Sequence, residues 1–208
     1  ASGGGIAANA GDPLEELADR ANVLLIGPGL LDDAPTCELA AALVAMFSGT
    51  PIILDAGAMG IAGVKRETRI RFTSPVLMTP HAGEMASLTG GDKDEIAANP
   101  VKAAVDAARA WNAVVALKGA VTHIAAPDGR IWRHAGGNSG LATSGSGDVL
   151  SGIIAGLIAR GTSLEQASAW GVALHARAGC RLTERHGPIG YLARELAGEV
   201  PALMAALA

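Results

Sequence analysis

Four short apolar runs separated by helical stretches constrain the fold of this chain more than any other feature. The runs occupy residues 23–26, 51–54, 76–78 and 114–117, and helical patterns occupy 36–47, the stretch from Glu84 onward and 101–111. Each run is continuously apolar rather than alternating, as in strands that are buried on both faces. Strands that alternate with helices in this way predict an α/β fold with a mostly parallel sheet and helices on both faces.

The rest of the chain predicts a sheet edge and a helical C-terminal part. Two runs at 121–125 and 130–133 flank a Pro-Asp-Gly turn, which predicts a β-hairpin. From Asp148 the pattern is helical to the end, with breaks near Gly161 and Gly187. No linker or internal repeat interrupts the sequence, so we expect one domain that spans residues 1–208.

Charge and composition argue against several classes of function. The formal net charge is -4 and no basic run is present, so a nucleic-acid surface is not expected. No apolar stretch reaches the length of about 18 residues that a membrane-spanning helix needs. Cys37 and Cys180 are far apart, which favours a reduced, cytoplasmic setting with both as ordinary core residues.

Each of the four predicted strands ends in an unusual polar or glycine-rich turn. The turns are Gly27-Pro28-Gly29, Asp55-Ala56-Gly57, Pro80-His81-Ala82-Gly83-Glu84 and Lys118-Gly119. Ligands of open α/β sheets bind outside the carboxyl ends of the strands, so four such turns would outline one cleft. Any one of them also has an ordinary explanation as turn chemistry, but the four together favour a ligand site.

The most informative stretch is the glycine-rich segment 136–148, which leads directly into an amphipathic helix. Its residues 144–147 would lie at the helix N-terminus, where free N–H groups and the helix dipole can hold a phosphate or an oxyanion. Asp148 lies beside that position and could accept a proton from a substrate hydroxyl. The alternative is that Ser144 or Ser146 caps the helix and Asp148 complements its dipole. Gly152 and Gly156 are expected to let this helix approach the sheet closely.

These motifs resemble two nested groups of proteins. Residues 142–152 are similar to the anion-hole signature of ribokinase-like kinases, whose last acidic residue is the catalytic base. The longer pattern at 26–30, 54–56, 79–85, 117–119 and 137–143 resembles NAD(P)H-hydrate dehydratases, in that family's order and over nearly the whole chain. Ser146 stands where the family has threonine, which keeps the hydroxyl. The family's opening βα segment is not found, so we expect the chain to lack it.

The resemblance implies a role for each matching residue. The hydrated dinucleotide is expected to contact Gly29, His81 and Asp148, with Asp148 as the catalytic base. Gly145, Ser146 and Gly147 would form the anion hole, and Glu84 would organise Mg²⁺ indirectly. The adenine nucleotide is expected to bind at Lys118, Gly119, Ala120, Val121, Thr122 and Gly147.

The remaining candidates are weaker. Asp55 could be functional, but a role in its strand-end turn is favoured. The other histidines show no ligand spacing and are expected to be structural or surface residues; they are His123, His134, His175 and His186.

The implied activity is the dehydration of hydrated NADH and NADPH (NADHX and NADPHX) by a lyase that uses ADP or ATP. A phosphoryl group would pass to the ring hydroxyl and leave as phosphate; ADP is favoured because no epimerase domain is fused to the chain. The family also implies a cytoplasmic homo-oligomer, a tetramer. Two alternatives stay open: a kinase of the hydroxyethylthiazole or hydroxymethylpyrimidine type with the same fold, and an inactive nucleotide-binding module.

Overall fold

One six-stranded sheet organises the structure, a computed structural model that describes residues 6–7, 9–63 and 70–207. The strands are β1 Leu24–Ile26, β2 Ile52–Leu54, β3 Val76–Met78, β4 Val114–Leu117, β5 Val121–Ala125 and β6 Ile131–Ala135. The α-helices are α1 Ala34–Met46, α2 Ala82–Thr89, α3 Lys93–Ala98, α4 Pro100–Trp111, α5 Ser146–Ala159, α6 Leu164–His186 and α7 Ala193–Ala205. Short 3-10 helices cover Asp12–Leu17, Ala56–Ala62 and Ser139–Ala142.

The strands lie in the sheet in the same order as in the chain. The first four are parallel to one another, whereas β5 runs antiparallel to both β4 and β6. This arrangement confirms the predicted α/β fold and the hairpin at the sheet edge. Because β1 to β4 are parallel, their carboxyl ends all lie on one edge of the sheet.

Both faces of the sheet are covered, as the continuous apolar runs predict. In β2, Ile52 and Leu54 pack in one hydrophobic cluster while Ile53 packs in another, and all three are fully buried. The first cluster includes residues of α1, α2 and α4, and the second includes residues of α5 and α6. The protein therefore has three layers, with the sheet between two layers of helices.

Helix ends follow local chemistry where suitable residues are present. Asp33 caps α1 by accepting a hydrogen bond from the Thr36 N–H at 2.9 Å, and a proline stands in the first turn. The α4 helix ends at Asn112, which takes the left-handed conformation with φ of 54°. Gly161 has φ of 89° and ends α5, as predicted from the sequence.

Two expectations about small residues are wrong. Gly152 and Gly156 lie on the exposed side of α5, and a Cβ added to either would meet nothing within 4 Å. These glycines therefore do not bring α5 to the sheet. The sheet instead contacts branched side chains on the opposite side of α5. Cys180 is exposed and is not a core residue, whereas Cys37 is half-buried and packs against the first hydrophobic cluster. No helix in the described ranges is long and apolar enough to cross a membrane.

Candidate active site

The four strand-end turns meet at one edge of the sheet, as predicted. The Lys118 N–H donates to the Pro80 carbonyl oxygen at 2.8 Å, and His81 and Lys118 form an isolated parallel bridge beyond β3 and β4. The Asp55 N–H donates to the Ile26 carbonyl oxygen at 3.0 Å. Gly27 has φ of 132°, and a Cβ there would overlap the Asp55 carbonyl, so only glycine fits this contact.

A buried carboxylate connects three of these turns. Asp55 is 2% exposed, accepts a hydrogen bond from the Thr79 hydroxyl at 2.7 Å and pairs with Lys118 Nζ at 3.2 Å. Its side chain makes no capping bond to the 3-10 helix that follows, which differs from the favoured turn role. Glu84 Oε2 lies 3.8 Å from the same Lys118 nitrogen. The ammonium of Lys118 is therefore held between two carboxylates at the edge of the sheet.

His81 and Glu84 form a capping box at the start of α2. His81 Nδ1 accepts from the N–H groups of Gly83 and Glu84 at 3.0 and 3.1 Å, and Glu84 Oε2 accepts from the His81 N–H at 2.7 Å. Because Nδ1 accepts, the ring hydrogen of the neutral side chain lies on Nε2. The side chain is 59% exposed, so this Nε2–H can donate to a ligand.

The glycine-rich turn supplies free N–H groups at the N-terminus of α5. Gly145 is the N-cap residue, with φ of 83° and no side-chain capping bond, so neither neighbouring serine caps the helix. The Ser146 N–H donates to the Thr143 carbonyl oxygen at 3.2 Å. Within the described residues, no backbone acceptor receives the N–H groups of Gly147 and Asp148. These two groups, rather than that of Ser146, are free to bind an anion.

Lys118 and the glycine-rich turn lie side by side. The heavy atom nearest to a Cβ built on Gly147 is Lys118 Nζ, at 3.3 Å. Asp148 is exposed in the first turn of α5, and its carboxylate has no hydrogen bond or ion pair with any described residue. The ammonium of Lys118 therefore lies beside the first turn of α5, which carries two free N–H groups and an unpaired carboxylate, and this combination suits an anion that receives or loses a proton.

The predicted nucleotide-binding stretch 118–122 forms the turn from β4 into β5. Gly119 and Ala120 are exposed at its tip, while Thr122 is buried and pairs with His134 in β6. The accessible part of this stretch is therefore its first three residues, next to Lys118 and Gly147.

An open cleft of about 200 Å³ lies next to Glu84, between the turn after β1, the 3-10 helix Ala56–Ala62 and α2. Leu30, Met59 and Leu88 give it an apolar lining, and Asp32 and Glu84 add carboxylates. Because Leu30 follows Gly29 directly, this cleft extends the site toward the residues predicted to bind the dinucleotide.

Sequence reasoning missed a contact behind the glycine-rich turn. His175 of α6 is buried, and its Nε2 lies 3.0 Å from both the hydroxyl and the carbonyl oxygen of Ser146. Burial, together with the positive charge of Lys118, lowers the His175 pKa to about 4. The Ser146 side chain therefore points into the protein and not toward a ligand.

The fold and this site define a class of proteins, the ribokinase-like superfamily. A ribokinase-like superfamily protein from Enterococcus faecalis is 27% identical, with a TM-score of 0.80 over 98% of this chain and 69% of that one. The family model described as NAD(P)H-hydrate dehydratase matches residues 6–202. The chain belongs to this family.

Two relatives are similar over most of the chain. The ADP-dependent (S)-NAD(P)H-hydrate dehydratase of Xanthomonas campestris is 41% identical over 92% of this chain. The ADP/ATP-dependent NAD(P)H-hydrate dehydratase of Bacillus subtilis, co-crystallized with ATP/Mg²⁺, is 31% identical, with a TM-score of 0.82 over 95% of this chain and 70% of that one. The chain spans 64% of the length of the Xanthomonas relative.

Proposed function

We propose that this protein is a nucleotide-dependent lyase that dehydrates NADHX and NADPHX to NADH and NADPH. The observation that carries the proposal is the meeting of Lys118 with the free N–H groups of Gly147 and Asp148 at the sheet edge. The Xanthomonas and Bacillus relatives, which carry this activity in their names, support the same reaction.

In the proposed mechanism the terminal phosphoryl group of ADP or ATP is transferred to the hydroxyl of the hydrated ring. Asp148 accepts the hydroxyl proton while the new P–O bond forms and the bond from the transferred phosphorus to the rest of the nucleotide breaks, which releases AMP from ADP or ADP from ATP. The N–H groups of Gly147 and Asp148 and the ammonium of Lys118 stabilise the transferring group. The ring nitrogen's electron pair then expels phosphate to give an iminium ion, and loss of a proton from the adjacent ring carbon restores the double bond.

The substrates would lie on opposite sides of this centre. The adenine nucleotide would bind along residues 118–122, with direct contacts at the accessible residues 118–120, and at Gly147. The hydrated dinucleotide would contact Gly29, Asp148 and the Nε2–H of His81, with the cleft beside Glu84 accommodating its apolar parts. ADP is the favoured donor, and residues 1–208 act as one domain.

Mg²⁺ fits this site as a companion of the nucleotide. Among the described residues no group of three or more His, Cys, Asp or Glu side chains could hold a metal by itself. Mg²⁺ usually keeps several waters when it binds substrate phosphates, and Glu84 can accept a hydrogen bond from such a water. The ion would neutralise phosphate charge, with Glu84 holding it indirectly.

We place the reaction in the cytoplasm, where NADH, NADPH and adenine nucleotides are used. The protein would act as a homo-oligomer, a tetramer as in its family. Size-exclusion chromatography with light scattering measures the mass of the assembly and tests this proposal independently of activity.

The test is an absorbance assay in which hydrated NADH is mixed with the protein, Mg²⁺ and either ADP or ATP. Return of the dihydronicotinamide band, dependent on nucleotide, supports the proposal. A stable phosphorylated product with no return of the band would instead identify a kinase. If no nucleotide-dependent reaction occurs, the remaining alternative is an inactive nucleotide-binding module.

Asp148→Asn is the informative variant. We expect turnover to fall by roughly 10²–10⁴-fold, because asparagine cannot accept the proton. Nucleotide affinity should persist, since the backbone N–H groups are unchanged. Stability should change by at most about 1 kcal/mol, because the exposed carboxylate interacts only with the helix dipole. Unchanged turnover in a folded variant would show that Asp148 is not the base.

A further inference from the structure

The peptide group between Ser146 and Gly147 is held from behind by a residue 29 positions away. His175 Nε2 lies 3.0 Å from the Ser146 carbonyl oxygen and 3.0 Å from the Ser146 hydroxyl. A carbonyl oxygen can only accept, so a bond to it requires the ring hydrogen on Nε2. The residue is 8% exposed, and both recorded partners of Nε2 belong to Ser146.

Peptide geometry connects this contact to the anion site. The Ser146 carbonyl and the Gly147 N–H belong to one planar trans peptide and point in opposite directions. A donor that fixes the carbonyl toward the protein interior therefore fixes the Gly147 N–H toward the sheet edge and Lys118. This peptide lies in the first turn of α5, where the Val149 N–H donates to the Gly145 carbonyl oxygen at 3.1 Å, and the contact with His175 adds a restraint from outside the helix.

The α6 helix is built to keep His175 at this distance. Gly171, His175 and Gly179 are four residues apart and share one face of the helix. A Cβ on Gly171 would overlap Ile154 of α5, and a Cβ on Gly179 would lie 2.7 Å from Leu141. The two glycines thus allow close packing on either side of the histidine, which fixes the position of its ring.

We propose that His175 is a positioning residue, whose Nε2–H fixes the Ser146–Gly147 peptide so that the Gly147 N–H faces the transferring phosphoryl group. The effect on turnover rests on the proposed function. The effect on the peptide does not, because it can be observed with nucleotide alone.

Two variants of similar length isolate the hydrogen bond. Glutamine places an N–H donor near the position of Nε2, whereas methionine has comparable length and no donor. We expect His175→Met to lower kcat by about 10- to 100-fold, less than the roughly 10²–10³-fold effect of deleting an oxyanion donor outright. KM for the nucleotide should rise by a smaller factor than kcat falls, because the Gly147 N–H contacts the phosphate in the ground state and binds the transferring group more strongly in the transition state. His175→Gln should retain most of kcat.

A structural readout accompanies the kinetics. Addition of ADP and Mg²⁺ should shift the Gly147 amide resonance strongly in the wild-type protein and in His175→Gln, and weakly in His175→Met. A purely structural role for His175 would lower thermal stability in both variants and leave this shift unchanged. Equal kcat values for folded His175→Met and wild type, or equal losses in both variants, would overturn the proposal.

The wild-type protein alone provides a further test, which holds even if a variant fails to fold. Nitrogen-15 spectra of the His175 ring should show the hydrogen on Nε2. A hydrogen on Nδ1 would make Nε2 an acceptor, and the proposal would then be wrong. If the wild-type protein shows this tautomer and the Gly147 shift but no turnover of hydrated NADH, the proposed function fails while the positioning role stands.

Discussion

Replacing Asp55 tests whether the buried network behind Lys118 holds the sheet edge together. The carboxylate is 2% exposed and has two partners, the Thr79 hydroxyl at 2.7 Å and Lys118 Nζ at 3.2 Å. Asp55→Ala removes the acceptor for both donors. Asp55→Asn keeps an oxygen for both but removes the negative charge.

The expected losses follow from the geometry. Two charges 3.2 Å apart attract by about 5 kcal/mol at an effective dielectric constant near 20, before desolvation is subtracted. Breaking a buried pair by removing one partner destabilises proteins by about 3–5 kcal/mol. The Lys118 side chain is 19% exposed and keeps Glu84 at 3.8 Å. We therefore expect about 3 kcal/mol for Asp55→Ala, at the lower end of that range, and about 1–2 kcal/mol for Asp55→Asn, which keeps its hydrogen bonds.

Urea unfolding of a double-mutant cycle measures the pair directly. Lys118→Met leaves the Asp55 charge buried without its partner, so it should be more destabilising in the wild-type background than in Asp55→Asn. A coupling free energy of about 1–3 kcal/mol is expected for groups in contact. Additive effects of the two substitutions, or a loss below about 1 kcal/mol in Asp55→Ala, would refute the reasoning. Thr79→Val is the matched control, since it removes one neutral donor and should cost about 1 kcal/mol.

Two further predictions concern α5 and α6. The His175 pKa falls from 6.5 to about 4 on folding, so the unfolded chain binds the extra proton between these pH values. His175 should therefore lower the free energy of unfolding by up to about 3 kcal/mol as pH falls through this window. Urea unfolding at pH 6.5 and 4.5 should show a smaller decrease in this free energy for His175→Met than for the wild-type protein. Gly156→Ala should raise the free energy of unfolding by about 0.5–1 kcal/mol, because the position is helical and open. The opposite result is expected for Gly171→Ala, whose new methyl group would overlap α5.

The parallel part of the fold could be predicted because strands that are buried on both faces are continuously apolar in the sequence. Strands β1 to β4 are continuously apolar, and each falls within a predicted run. Element ends were less predictable where glycine replaces a capping side chain. The α5 helix begins at Ser146, two residues before the predicted start at Asp148, because Gly145 turns the chain through a left-handed conformation. The β6 strand extends to Ala135, beyond the predicted end at 133, because its pairing with β5 determines its length.

The 3-10 helix Ala56–Ala62 has no comparable signal in the sequence. Its glycine-containing stretch is compatible with many turns. The conformation is fixed by packing, since a Cβ on Gly57 would overlap the Leu31 carbonyl. A long-range contact of this kind selects among local conformations that the sequence alone leaves equivalent.

Residues at strand ends were accessible to prediction for a different reason. Parallel strands deliver their carboxyl ends to one edge whatever their order, so Gly29, His81 and Lys118 could be placed together. The pairing of Asp55 with Lys118 required more, because it depends on which strands are neighbours. In this sheet β3 lies between β2 and β4, and Thr79, which directly follows β3, lies at the same edge and donates to the shared carboxylate.

His175 marks the limit of this reasoning from local pattern. Its spacing with Gly171 and Gly179 identifies one face of α6, but the spacing does not say what that face contacts. The contact follows from the antiparallel packing of α6 on α5, which brings His175 to the first residue of α5. A residue that binds a ligand directly lies at the sheet edge, and the ends of the predicted strands identify such residues from the sequence. A residue that orients another group can come from any element that packs behind it, so the three-dimensional structure is needed to recognise it.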